Sequence, residues 1–259
     1  MTKRIITAVV AFPIFFIFMY LGGYPLAGLL AVLAFIGMDE MNNALQVRSR
    51  TPRVVASVFA VIYAYFLSHF VIMFFVVSML LVLVARYGKT TVGECAAVVF
   101  TFFYVPFLMY YIYLTRAMPF GIFSVWLIFI CSWISDTGAY FVGKNFGKHK
   151  LTPKLSPHKT IEGAIGGVVC AAVLAFLYAS ILLELGKTHD MRLLFTITGV
   201  FGSALSQLGD LAASSIKRQT GIKDYGKLLP GHGGVVDRFD SVLLSAPIVY
   251  AILSLSKIN

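Results

Sequence analysis

Long apolar runs are the feature of this chain that most restricts its fold. Several runs approach or exceed the roughly 20 residues that a helix needs to cross about 30 Å of hydrocarbon. Only 12% of the 259 residues are charged, whereas soluble domains contain about 25%. The runs lack the alternation of barrel strands, and a backbone in lipid must satisfy its own hydrogen bonds. The sequence therefore predicts an all-α polytopic integral membrane protein.

The apolar pattern predicts nine transmembrane helices. The stretch from Arg53 to Arg86 is divided near Ser68 and His69, because one straight helix of that length would measure about 50 Å. With the N-terminus inside, 17 of the 21 Lys and Arg residues face one side, which the positive-inside rule identifies as the cytoplasm. The spans are expected near 5–21, 25–45, 53–68, 70–87, 92–114, 120–142, 161–183, 193–214 and 239–256.

Two regions are predicted along the chain. Residues 1–115 would form five spans and contain almost no groups suited to chemistry, whereas residues 116–259 would form four spans. The second region includes two polar loops, 143–160 and 215–237, on the cytoplasmic side. A polar site facing the cytoplasm is therefore expected in the C-terminal half.

Charge placement, cysteine spacing and the motifs that are absent argue against three classes of function: nucleic-acid binding, hydrolysis and P-loop nucleotide chemistry. The formal net charge of +10 comes without a basic patch interleaved with aromatic residues, so no nucleic-acid partner is expected. Cys95, Cys131 and Cys170 lack metal-ligand spacing and are expected to be buried structural thiols. No histidine pair has zinc spacing, and there is neither a nucleophile elbow nor a Walker A lysine, so hydrolase and P-loop functions lack support.

Residues 209–240 contain four of the chain's 11 acidic residues, next to apolar spans. Charge concentrated beside hydrocarbon is costly, so it usually marks a functional site. Asp210, Ser214 and Lys217 share one helical face, where a carboxylate, a hydroxyl and an ammonium group could bind a metal and a phosphate together. The alternative is a helix end whose polar side chains extend into the lipid headgroups.

The ninth predicted span begins with a pair of carboxylates. Asp237 and Asp240 lie three residues apart on its first turn, where acidic residues are also favoured by the helix dipole. An unpaired Asp240 inside an apolar helix would be expensive, and a bound Mg²⁺ would offset that cost. The preceding turn, 230–234, is rich in glycine, so its N–H groups could approach a phosphate, although any tight loop would use such glycines.

The loop after the sixth span supplies further polar groups. Asp136 is expected at the edge of that span, facing the site. Most of the basic residues in 144–159 are explained by positive-inside topology and attraction to headgroups. Lys154 and Lys159, on either side of Ser156-Pro157-His158, look more like a shaped anion-binding turn. Gly163 and Gly167 have the spacing of helix-packing residues.

Residues 214–240, SSIKRQTGIKDYGKLLPGHGGVVDRFD, resemble the signature of phosphatidate cytidylyltransferases, also called CDP-diglyceride synthetases, at every constrained position. Segments 135–140 and 156–163 are similar to that family too, so the resemblance covers residues 135–240. It implies a polytopic helical enzyme, a homodimer, with a cytoplasm-facing site open to membrane lipid. It also implies that CTP and phosphatidic acid give CDP-diacylglycerol and pyrophosphate, with Mg²⁺ alone or with a second cation. The compact chain, without a targeting extension, favours a bacterial inner membrane.

The resemblance also implies roles for individual residues. Metal coordination is expected of Asp210, Asp237 and Asp240, with Asp224 as a further ligand or a neighbour of the ligands. Lys217, Arg218 and Arg238 would hold phosphates. Substrate contacts are expected from the remaining matched positions: Asp136, His158, Lys159, Ser214, Lys223, His232, Gly233 and Gly234.

Two other functions remain open on the sequence. A cytidylyltransferase acting on another lipid phosphate, such as an isoprenoid one, would share the nucleotide and metal residues. An anion transporter or channel would need ionisable residues along several spans near the bilayer centre, whereas here they gather at one interface.

Overall fold

The computed structural model describes residues 13–228 and 233–256. The chain is divided into two compact units. The first comprises Met1–Tyr113 with Gln219–Arg238, and the second comprises Leu114–Arg218 with Phe239–Asn259. The segment between the last two helices therefore belongs to the unit formed by the N-terminal part of the chain.

Six helices and a π-helical turn make up most of the N-terminal part. Helical residues 13–21 (α1) are followed by α2 (Gly23–Ala44), α3 (Arg50–Phe66), α4 (His69–Ala85), α5 (Val92–Phe102), the π-helical turn Phe103–Phe107 and α6 (Leu108–Ala117). Pro106 lies within the π-helical turn, where its missing N–H is tolerated. A capping box starts α5, because Thr91 Oγ1 accepts from the Glu94 N–H at 3.1 Å while Glu94 accepts from the Thr91 N–H at 3.0 Å.

The predicted break near Ser68 and His69 is confirmed. Leu67 ends α3 in the left-handed conformation, with φ of 44°. Ser68 Oγ then caps α4 by accepting from the Phe70 N–H at 3.2 Å. Aromatic rings fill the core of this unit: Phe75 and Phe102 stack with centroids 4.2 Å apart, and both are fully buried.

The second unit contains a short β-hairpin between two helices that pack against each other. Short helices α7 (Gly121–Ser124) and α8 (Trp126–Phe129), the π-helical turn Ile130–Ile134 and α9 (Ser135–Phe146) precede the hairpin β1 (Lys150–Thr152) and β2 (Ser156–Thr160). The strands are antiparallel, with Lys150 opposite Thr160. The chain then forms α10 (Ile161–Glu184), α11 (Arg192–Thr220) and α12 (Val236–Leu255).

Glycines bring α9 and α10 together, as the spacing of Gly163 and Gly167 predicts. A Cβ on Gly167 would lie 2.6 Å from the Ser135 carbonyl oxygen, and one on Gly138 would lie 2.8 Å from Cys170 Cβ, so neither glycine can be enlarged without separating the helices. Gln207 of α11 donates to Ser135 Oγ and to the Ala164 carbonyl, both at 3.0 Å. Of the three free thiols, those of Cys95 and Cys131 are buried and that of Cys170 is half-buried.

The protein is an all-α membrane protein. Within the described residues, five helices are long and apolar enough to cross a bilayer: Gly23–Ala44, Val92–Ala117, Gly121–Phe146, Ile161–Glu184 and Val236–Leu255. The helix His69–Ala85 is apolar but shorter. Helical residues occupy each predicted span, although the first span is described only from residue 13. The number of spans that cross the bilayer stays a prediction.

Candidate functional site

The hairpin places Lys159 beside the polar end of α11. Thr160 caps α10 by accepting from the Gly163 N–H at 3.1 Å, which fixes the last residue of β2. The other end of the loop is tied to the same helix, because Glu162 accepts from the Lys148 N–H at 3.1 Å and lies 2.6 Å from His149 Nδ1. Held in this way, the Lys159 ammonium group forms an ion pair with the Asp210 carboxylate.

Asp210 is the centre of a group of carboxylates in the second unit. One turn along α11, Ser214 Oγ lies 3.5 Å from Asp210 Oδ1, so the predicted pairing of these residues on one helical face is confirmed. Asp136 of α9 and Asp240 of α12 lie close enough to interact electrostatically with Asp210 and with each other. Lys217 of α11 also interacts electrostatically with Asp240.

These side chains remain accessible to a substrate. Lys159 and Asp210 are 29% and 26% exposed, Asp240 is half-buried and Asp136 is exposed. Asp240 Oδ1 accepts from the N–H of its neighbour Ser241 at 2.8 Å. Three carboxylates from three helices therefore lie with two ammonium groups, Lys159 and Lys217, at a partly open surface of this unit.

The donor set suits a hard divalent cation bound together with a phosphate. Within residues 13–228 and 233–256, no three His, Cys, Asp or Glu side chains are placed to hold one ion by themselves. Mg²⁺ needs only one or two carboxylates, since it keeps waters and takes phosphate oxygens for its other positions. The excess of carboxylates over lysines around Asp210 therefore fits Mg²⁺ and does not require a closed protein cage.

Asp237 has a different environment, in the first unit. It is 7% exposed, and its Oδ2 accepts from the Tyr225 N–H at 2.7 Å and from the Gly234 N–H at 3.0 Å. Gly233 adopts φ of 86°, and a Cβ there would lie 2.8 Å from Asp237 Oδ2, so this position requires glycine. One oxygen of Asp237 thus closes the loop before α12, and the Gly234 N–H that could approach a phosphate donates to it.

Glu40 is a buried polar residue in the region 1–115, where the sequence pattern indicates almost no groups suited to chemistry. Its carboxylate, 7% exposed, accepts from the Val235 and Val236 N–H groups, both at 3.0 Å. Gly226 and Gly234 pack so closely against this carboxylate that a Cβ on either would overlap it. A charged residue near the end of an apolar span is itself a functional signal, and it could have identified Glu40.

The remaining predicted site residues lie at the surface. Five of them have exposed side chains: His158, Arg218, Lys223, Asp224 and Arg238. His232 falls outside the described residues. The structure therefore brings Asp136, Lys159, Asp210 and Asp240 together with Ser214 and Lys217, and the phosphate-holding roles of the exposed residues stay predictions.

Comparison with known proteins identifies the family. Residues 2–256 match the model described as the Cytidylyltransferase family. The phosphatidate cytidylyltransferase of Bacillus subtilis (strain 168) is 32% identical over 268 residues, which cover 98% of both chains. The protein of that name from Staphylococcus aureus (strain COL) is 34% identical over 267 residues, covering 98% of this chain and 99% of the relative. The resemblance seen in residues 214–240 is confirmed, and the chain belongs to the phosphatidate cytidylyltransferase family.

Proposed function

We propose that the protein transfers the cytidylyl group of CTP to phosphatidic acid, giving CDP-diacylglycerol and pyrophosphate. The observation that carries this proposal is the group formed by Asp136, Lys159, Asp210 and Asp240, at the polar ends of apolar helices. A triphosphate and a lipid phosphate both need cationic groups and a divalent ion, and the lipid must reach them from the bilayer. Membership of the family supplies the nucleotide and the lipid that the geometry alone does not name.

The reaction needs little covalent help from the protein. An oxygen of the lipid phosphate attacks the α-phosphorus of CTP, a new P–O bond forms, and the bond to the β-phosphate oxygen breaks to release pyrophosphate. Positioning and neutralisation of charge dominate such transfers. Ser214 is hydrogen-bonded to Asp210 and serves as a polar contact, since no covalent intermediate is required.

The lysines would hold the phosphates while the carboxylates orient them. The Lys159 ammonium group carries three donors, so it can keep its bond to Asp210 and still bind a phosphate oxygen. Lys217, Arg218 and Arg238 would add positive charge, the arginines with bidentate geometry. Each lysine therefore links the carboxylate group to the substrate.

We further propose that the site works with Mg²⁺, alone or with a second cation. Asp210 and Asp240 are the first candidates for ligands, with Asp237 as a third and Asp224 as a neighbour. When bound, the metal would neutralise the oxygens on which negative charge develops. Nine spans and a site facing the cytoplasm at a bacterial inner membrane belong to the same proposal, supported by the distribution of Lys and Arg and by the bacterial relatives. A homodimer is proposed from the family resemblance alone.

The test is transfer of label from α-labelled CTP into lipid by the purified protein in detergent, with phosphatidic acid and Mg²⁺. Asp210→Asn should abolish transfer, whereas Asp190→Asn should retain it, because Asp190 is an exposed aspartate paired with Arg192. Chelation with EDTA should stop transfer, and added Mg²⁺ should restore it. A folded wild type that leaves all label in CTP would contradict the proposal, and transfer to an isoprenoid phosphate alone would replace the lipid substrate.

A further inference from the structure

Glu40 joins two parts of the chain that are 195 residues apart. Its two carboxylate oxygens each accept one backbone N–H, from Val235 and from Val236. These groups lie at the N-terminus of α12, where the first N–H groups of a helix have no partner within it. A carboxylate at this end is also favoured by the helix dipole. Glu40 therefore caps α12 from another helix, α2.

The surroundings of Glu40 fix this cap in one geometry. The carboxylate is nearly inaccessible to solvent. It packs against Gly226 and Gly234, where a Cβ at either position would overlap it. Asp237 binds the Tyr225 and Gly234 N–H groups of the same segment. Two carboxylates thus hold four backbone N–H groups, and they define where α12 begins.

We propose that Glu40 is a positioning residue for the cytidylyltransferase reaction, acting through the start of α12. That start carries Asp237 and Arg238, and Asp240 follows one turn further along the same helix. A displaced helix start would move these side chains, and a misplacement of about 1 Å can cost roughly a hundredfold in rate. The catalytic part of this inference rests on the proposed function, whereas the capping contact does not.

Glu40→Gln is the informative variant, because it conserves volume but replaces one acceptor with an NH₂ group facing an N–H donor. Glu94→Gln is the matched control. Glu94 also accepts backbone N–H groups in this unit, from Arg48 at 2.9 Å, Ser49 at 2.8 Å and Thr91 at 3.0 Å, and none of these three donors lies in α12. Glu40→Asp is a second variant, which keeps the charge and shortens the side chain by one methylene group.

Two measurements on the full-length protein in detergent test the inference. Amide hydrogen exchange should become at least about tenfold faster at Val235 and Val236 in Glu40→Gln. Glu94→Gln should change exchange at Arg48, Ser49 and Thr91, whose N–H groups Glu94 accepts, and leave Val235 and Val236 unchanged. At saturating CTP and phosphatidic acid, kcat should fall about tenfold or more in Glu40→Gln, should lie between this and wild type in Glu40→Asp, and should stay within twofold of wild type in Glu94→Gln.

The outcomes separate the possible roles. Faster exchange with an unchanged kcat would overturn the positioning role and leave a purely structural contact. Unchanged exchange would overturn the contact itself. Equal losses of kcat in Glu40→Gln and Glu94→Gln would indicate general destabilisation and overturn the inference. If Glu40→Gln does not fold, Glu40→Asp is tested by the same criteria. A wild type without turnover would refute the proposed function, whereas the amide exchange rates at Val235 and Val236 would still test the capping contact.

Discussion

Replacing Gly209 with alanine should separate two helices that carry site residues. Gly209 precedes Asp210 on α11, and its Cα faces the backbone of α12. A Cβ added there would lie 2.6 Å from the carbonyl oxygen of Asp240 and 3.3 Å from Leu244 Cβ. Because the first atom belongs to a helix backbone, it cannot rotate away, so the helices themselves must shift.

The required shift can be worked out from the contact distances. Real Cβ contacts do not fall below 3.0 Å and are ordinary from 3.4 Å, so α11 and α12 must separate by about 0.4–0.8 Å at this point. Overpacking of this kind costs about 1–3 kcal/mol, and the better helix propensity of alanine returns about 1 kcal/mol. The net loss of stability is therefore at most about 2 kcal/mol, and the protein should still fold.

The larger effect should be on turnover, since the shift changes the separation of Asp210 and Asp240. If a misplacement of about 1 Å costs roughly a hundredfold, a shift of about half that size should lower kcat on the order of tenfold. The assay is label transfer from CTP at saturating substrates, alongside thermal unfolding in detergent. Gly28→Ala is the control: a Cβ there has nothing within 4 Å, so stability should rise by about 0.5–1 kcal/mol. Wild-type kcat in Gly209→Ala would refute the reasoning.

Further predictions concern the charged groups. Lys159→Met should lower turnover by about a hundredfold. It should also lower stability by roughly 1–2 kcal/mol, less than the 3–5 kcal/mol of a fully buried pair, because both partners are about one quarter exposed. Lys187→Met, at an exposed lysine after α10, should behave like wild type in both assays. Hydrogen bonds from Arg192 lower the pKa of Asp190 to about 2, so the stability that this pair contributes is present above about pH 4 and lost as the pH falls through about 2. Asp190→Asn should therefore remove this acid-dependent part of the unfolding curve, followed by tryptophan fluorescence, without changing turnover at neutral pH.

Local patterns predicted much of the fold and part of the site. The break between α3 and α4 follows from the length of hydrocarbon that a helix has to cross, and Ser68 provides the cap. The packing of Gly163 and Gly167 and the pairing of Asp210 with Ser214 follow from helical periodicity. The first kind of feature depends only on neighbours within one helix. The second depends on small residues spaced four apart, which let another helix approach closely whatever its sequence.

Contacts between distant segments could not be predicted in the same way. The hairpin of β1 and β2 lies in a loop whose lysines are explained equally well by topology, so nothing in the pattern specified that Lys159 would meet Asp210. Glu40 accepts from backbone N–H groups. Because every residue except proline has such a donor, residue identity does not indicate which one Glu40 binds. The assignment of Gln219–Arg238 to the unit containing Met1–Tyr113 depends on such contacts, which only the folded chain displays.

Asp237 and Asp240, which the sequence treats as one pair of carboxylates, need different experiments. Asp237 Oδ2 holds two backbone N–H groups, so Asp237→Asn disturbs the loop before α12 as well as any metal bound to it, and its loss of turnover alone would not identify a ligand. Asp240 Oδ1 accepts only from the adjacent Ser241 N–H among the hydrogen bonds of the described chain. Asp240→Asn should therefore abolish turnover with unchanged thermal stability, and full activity in that variant would exclude Asp240 from the metal site.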